Sequence, residues 1–95
     1  MSGSTSTVVK KVYADGRVED ELELAMTLEE MQAFVGGYIE MVPAAERNRA
    51  LIVNEEGALR GLPFNETATP LAKEGVRMLG GKLRGNVLVV KAFNR

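Results

Sequence analysis

The side chains able to do chemistry in this sequence are carboxylates, amines, guanidinium groups, phenols and hydroxyls, because the chain holds no histidine and no cysteine. Without imidazole there is no ordinary general base near neutral pH, and without thiolate or imidazole there is no usual zinc or iron–sulfur ligand set. The polar residues that remain gather in three stretches. Asn54-Glu55-Glu56-Gly57 places paired carboxylates after an apolar run. Two carboxylates can share a divalent cation, but adjacent residues of an extended chain point to opposite sides. They converge only if the chain turns, and a solvated turn is the simpler reading. In Gly61-Leu62-Pro63-Phe64-Asn65, Pro63 restricts Leu62 to extended geometry. Leu62 and Phe64 would anchor the loop in the core while the Asn65 amide caps backbone groups; the same loop offers hydrogen bonds to a base, a ribose or a peptide. Gly80-Gly81-Lys82-Leu83-Arg84-Gly85-Asn86 sets two cations among glycines, the makings of an anion-binding nest. It is not a P-loop, since the residue order differs and a strand follows; a basic loop between strands is the plainer alternative. The candidate ligand-binding residues are therefore Asn54, Glu55, Glu56, Arg60, Asn65, Lys82 and Arg84. No catalytic group, metal ligand set or cofactor is predicted, and the expected class is a non-enzyme. A small hydrolase using Glu55, Glu56 and a metal ion is the minor alternative.

Ninety-five residues with 45% hydrophobic and 26% charged content suit one small soluble domain. No stretch approaches the roughly 18 apolar residues of a membrane span. The first residues have neither a basic start nor an apolar run, so they predict no secretory signal. Residues 1–6 read as a flexible polar tail, residues 7–95 as the domain, and, with no cysteine, the cytoplasm as the location. Five aromatic residues and a net charge of −1 make a nucleic-acid partner a poor expectation. The small net charge conceals an asymmetry: residues 1–46 hold nine acids and three bases, and residues 47–95 four acids and nine bases. That division suits solvated surface, or a basic face for an anionic ligand or for the acidic half of a second subunit.

These groups must be positioned by a small set of elements. Residues 7–13 are rich in β-branched side chains and predict a strand; Asp15-Gly16 predicts a hairpin turn, and residues 18–24 a second strand with one wet face. Thr27-Leu28-Glu29-Glu30 is a capping box. It opens a helix over residues 27–36 with Leu28, Met31, Phe34 and Val35 on its apolar side, closed by Gly36-Gly37. Residues 38–42 and 49–54 predict a further hairpin, with Pro43 closing the first strand. Residues 65–74 read as a short helix or an irregular turn, and residues 86–93 as a central strand buried on both sides. The resulting class is α+β: a mostly antiparallel, curved sheet of about five strands with one capped helix packed on it.

Three ordered motifs carry a resemblance: Met31-Gln32-Ala33-Phe34-Val35-Gly36-Gly37-Tyr38-Ile39-Glu40-Met41-Val42, Val53-Asn54-Glu55-Glu56-Gly57 and Gly61-Leu62-Pro63-Phe64-Asn65. Together with Gly85-Asn86 leading into Val87-Leu88-Val89-Val90, they resemble the DUF3846-type family, small domains of unknown function found in phages, plasmids and actinobacterial genomes. Phe64 stands where proline or another residue is common in that pattern. The resemblance covers about residues 27–92 and brings no catalytic residue with it. It implies an accessory protein of a phage or mobile element acting inside a bacterium. The expected function is a binding protein that counters a host defence, its partner a host protein or a small nucleotide-like ligand, with no membrane partner. The alternative is a structural or assembly protein acting as a homodimer or higher homo-oligomer.

Overall fold

The apolar runs at residues 50–53 and 87–90 lie side by side in the middle of the sheet, buried on both faces. The computed structural model describes residues 4–74 and 81–92. Its elements are β1 (Thr5–Val12), β2 (Val18–Glu19), β3 (Leu24–Thr27), α1 (Leu28–Val35), β4 (Ile39–Pro43), β5 (Arg49–Asn54), a 3-10 turn (Thr69–Leu71) and β6 (Val87–Lys91). The strand order is β2-β1-β6-β5-β4, with β3 also paired to β1, and every pairing is antiparallel. The α+β class is as expected, with a mostly antiparallel sheet and, packed on it, one capped α-helix among the described elements.

Strand periodicity divides the core in two. Ala50, Ile52, Leu88 and Val90 face α1, where they meet Val8, Met26, Met31 and Val35. Leu51, Val53, Val87 and Val89 face the other way, against Val12, Val42, Ala68 and Ala72. Four residues apart on a regular strand, Val8 and Val12 would share a face. They do not, because the β1–β6 register shifts between Val8 and Lys10, and this bulge reverses the alternation. One face of the sheet is thus covered by a helix and the other by the segment 65–74, which is built from turns around a single 3-10 turn holding Pro70. Of the two readings open for that segment, the irregular one describes it.

The expected second strand over residues 18–24 is two short ones. Glu21 takes a left-handed backbone at φ 55°, the Asp20 carboxylate accepts the Glu21 amide at 2.7 Å, and the Leu22 amide turns inward to the Val9 carbonyl at 2.9 Å. The ladder breaks there and resumes at Leu24, which raises the strand count from five to six. The first strand also begins earlier than predicted: Thr5 and Ser6 pair with Thr27 and Met26, so they belong to the sheet rather than to the tail expected over residues 1–6. The last strand is shorter than residues 86–93, and Phe93 lies outside the described residues.

The helix is only eight residues long and depends on its ends and its packing. Thr27 Oγ1 accepts the Glu30 amide at 3.1 Å, and Glu30 Oε1 accepts the Thr27 amide at 2.8 Å, completing the capping box. Met31 and Val35 are buried, whereas Leu28, assigned to the apolar side from its spacing, is exposed. At the other end Gly36 adopts φ 87°, and both Gly36 and Gly37 donate to the Gln32 carbonyl. Gly37 is needed for a different reason. A Cβ there would lie 2.9 Å from Asn54 Nδ2, which donates to the Val35 carbonyl at 3.1 Å.

Two substitutions measure these ends. Thr27→Ala removes one half of the box and should lower unfolding free energy by about 1 kcal/mol in urea denaturation. Gly37→Ala should cost more, about 1–3 kcal/mol, because it displaces a buried amide from its acceptor. A Gly37→Ala protein as stable as the parent would show that the close approach is not a constraint.

Candidate ligand groove

The seven residues singled out from sequence divide by what their polar atoms already hold. Asn54 is buried: its Nδ2 donates to the helix-end carbonyl of Val35, and its Oδ1 accepts the Glu56 amide at 2.7 Å. Asn65 is fully buried. Its Nδ2 donates to the carbonyls of Val12 at 3.0 Å and Gly85 at 2.8 Å, and its Oδ1 accepts the Ala68 amide at 2.9 Å. Its backbone carbonyl accepts from Thr69 Oγ1 and the Thr69 amide, and its own amide donates to Leu83. Asn65 does the capping expected of it, whereas Phe64, expected to anchor the loop in the core, is 45% exposed; the work of Asn54 at the helix end was not among the readings of its turn.

The charged candidates are at the surface. Glu55 is exposed, while the half-buried Glu56 accepts from Arg60 Nε at 3.2 Å, so among the described residues only one of the adjacent carboxylates has an ion-pair partner. Lys82 pairs with Glu66 at 2.9 Å, and Arg84 Nη1 donates to the Leu62 carbonyl at 3.0 Å. Both cations sit over the Phe64 ring, at 5.3 Å and 4.1 Å from its centre. A shallow cleft of about 320 Å3 gathers Asn54, Glu55, Lys82 and Arg84 beside Glu40; Glu56, Arg60 and Asn65 do not line it. Among the described residues, no three Asp or Glu side chains converge as metal ligands.

A larger concavity lies elsewhere, on the sheet face opposite α1. It has a volume of about 480 Å3. Val9, Leu51 and Val89 contribute its sheet lining, residues 20–23 line one side, and residues 44–46 with Pro70 and Leu71 line another. The acidic side is tied to the sheet at two points, by Lys10 to Asp20 at 3.6 Å and by Lys91 to Glu23 at 2.8 Å. Three more charged residues line the groove, Glu21, Glu46 and Arg49. Among the described residues none of these three has an ion-pair partner within 4.0 Å. No local motif announces this groove, because it is assembled from segments far apart in the chain. The charges of Arg47 and Arg49, where the chain joins the strands expected at residues 38–42 and 49–54, are the one local signal.

The Lys91 ammonium holds the Glu23 carboxyl below its ordinary value, first through the hydrogen bond and then through its charge, with slight desolvation opposing. A carboxylate depressed in this way adds stability above its unfolded pKa, and the contribution is lost as pH falls through the folded one. The pair is well exposed, so its effect on overall stability is small. An NMR titration should show Glu23 ionising below the ordinary glutamate value and returning toward that value in Lys91→Gln. Asn65→Leu is the opposite case. It leaves two carbonyls and one amide without partners, at about 1–3 kcal/mol each, and should remove most of the folding free energy. Glu55→Gln with Glu56→Gln should leave it within about 0.5 kcal/mol of the parent.

Among the described residues no helix is long and apolar enough to cross a membrane. No curated protein and no solved structure shows a significant match to this chain. A family model does match, over residues 10–95, and its description is "Domain of unknown function (DUF3846)". That match begins within β1 and takes in the helix with its double glycine, both buried asparagines and the final strand, and on it the chain belongs to the DUF3846 family.

Proposed function

We propose that this chain is a non-enzymatic binding module that takes a small nucleotide-like ligand into the groove opposite the helix. The observation that carries this reading is the groove's composition: an apolar sheet lining of Val9, Leu51 and Val89, with Glu21, Glu46 and Arg49 around it and, among the described residues, without ion pairs. Its volume of about 480 Å3 falls among those of small-molecule sites. A flat ring would lie on the aliphatic side chains, its N–H groups would donate to Glu21 or Glu46, and its anionic end would accept from Arg49. The other lining cations, Lys10 and Lys91, are held by Asp20 and Glu23, an arrangement suited to shaping a site rather than to moving protons. In the phage or mobile-element setting that the family resemblance implies, such a module would withdraw an anionic signal nucleotide from a host defence.

Thermal denaturation against a panel of nucleotides tests this. A ligand present at a hundred times its Kd should add about 2.7 kcal/mol of stability, which for a domain this small raises Tm by about 10 °C or more. No shift with any nucleotide would overturn the reading, and capture of a host protein would then become the form of binding to pursue.

A second reading, self-association, rests on the open edge of β4. The Glu55 amide donates to the Tyr38 carbonyl at 3.0 Å, so alternation along the β4–β5 ladder turns the backbone groups of Ile39 and Met41 away from β5. The next outward groups are covered: the Pro43 carbonyl accepts the Lys73 amide, and the Ala45 amide donates to Leu71. Tyr38 and Met41 remain 69% and 60% exposed on this short edge, a place where a second copy could add its own β4. Light scattering after size exclusion should then report a dimer that Met41→Lys returns to monomer. A parent chain that is monomeric at every concentration removes this reading.

A further inference from the structure

The turn between β4 and β5 carries more positive charge than its surroundings balance. Arg47, Arg49 and Lys73 line a cleft of about 310 Å3 that adjoins the groove along Ala44, Ala45, Glu46 and Arg49. Glu46 is the single carboxylate among its described lining residues. Among the described residues no carboxylate comes within 4.0 Å of any of the three cations.

Their gathering is enforced by the backbone. Ala44 bridges Ala72, the Lys73 amide donates to the Pro43 carbonyl at 3.0 Å, and the Ala45 amide donates to the Leu71 carbonyl at 2.8 Å. This zip brings Lys73 beside a turn to which it is distant in sequence. On the other side Asn48, left-handed at φ 61°, offers its carbonyl to the Ala92 amide at 2.9 Å and to Arg49 Nη1 at 3.1 Å. The turn is thereby tied to the end of β6. The main-chain hydrogen bonds hold the backbone from which three like charges reach into one cleft, and an anion among them relieves their mutual repulsion.

We propose that this cleft is a phosphoryl-anion site, in which Arg47, Arg49 and Lys73 hold a phosphate group. Three cations against one carboxylate match a doubly charged anion better than a single carboxylate ligand. The two guanidinium groups can each give two parallel hydrogen bonds to phosphate oxygens, with the lysine adding a point charge. The phosphate is either free or the terminal group of a larger ligand. In the latter case the site rests on the reading of the adjoining groove, whose lining would carry the ligand's body.

Amide-resolved NMR titrations with pyrophosphate, a nucleoside and its triphosphate test the site and separate it from the groove. Pyrophosphate should perturb the amides of residues 45–49 and Lys73, and the triphosphate should perturb these together with Val9, Leu22 and Val89. Arg47→Gln combined with Lys73→Gln should weaken pyrophosphate by at least about tenfold and abolish the advantage of the triphosphate over the nucleoside. Both side chains are exposed, so an unchanged melting temperature in the double variant confirms that folding is intact. Pyrophosphate that leaves the turn unperturbed, or that binds the double variant as well as the parent, overturns the site. A nucleoside that binds the groove as tightly as its triphosphate, with the turn unperturbed by pyrophosphate, overturns the site while leaving the groove's hold on the ligand's body intact. Pyrophosphate bound at the turn, with no perturbation of the groove by nucleoside or triphosphate, upholds the site and overturns the groove reading.

Discussion

The Asn65 side chain is the interaction on which the second face of the sheet depends. One buried amide joins the end of β1, the approach to β6 and the start of the segment 65–74 through three hydrogen bonds. That segment has little regular structure to hold it, and its apolar contribution rests largely on Ala68, Ala72 and Leu71. Small side chains give modest burial energy, so specific hydrogen bonds must place them. Once seated, they cover Val12, Leu51, Val87 and Val89, and they carry Leu71 and Lys73 to β4. The side of the groove at Leu71 and the cation cleft both follow from this placement.

Asn54 does similar work on the opposite face. There a helix of two turns must end against the sheet, and its last carbonyls need donors. Asn54 supplies one to Val35, while Gly37 leaves room for the amide and Gly36 supplies the left-handed turn. Both conspicuous asparagines are thus spent on folding. The polar surface left for a ligand lies where charges are brought together by distant segments and not by adjacent residues.

The fold was legible in the sequence wherever the signal was local. The capping box, the double glycine, the Asp15-Gly16 turn and the apolar runs of β5 and β6 each act within a few residues. The reading of residues 18–24 failed because alternating Val18, Leu22 and Leu24 match a strand, yet the Leu22 amide finds the Val9 carbonyl and breaks the ladder. The candidate site was legible only in pieces. Asn54, Glu55, Lys82 and Arg84 do share a cleft, but Arg47, Arg49, Lys73, Lys91 and the acids of residues 20–23 carry no shared motif.

Composition and short-range pattern determine for this protein the absence of imidazole and thiol chemistry, the α+β class, the helix ends and a central final strand. These depend on residue type and on contacts a few positions apart, which the order of residues states directly. The tertiary structure alone decides which face the bulged first strand presents and where the 65–74 segment docks. It also decides which cations line one cleft together. Those outcomes turn on hydrogen bonds between groups up to tens of residues apart, some between backbone groups that any residue carries and some from the buried Asn65 amide, whose distant acceptors no short-range pattern names. The groove and its cation cleft belong to this second kind.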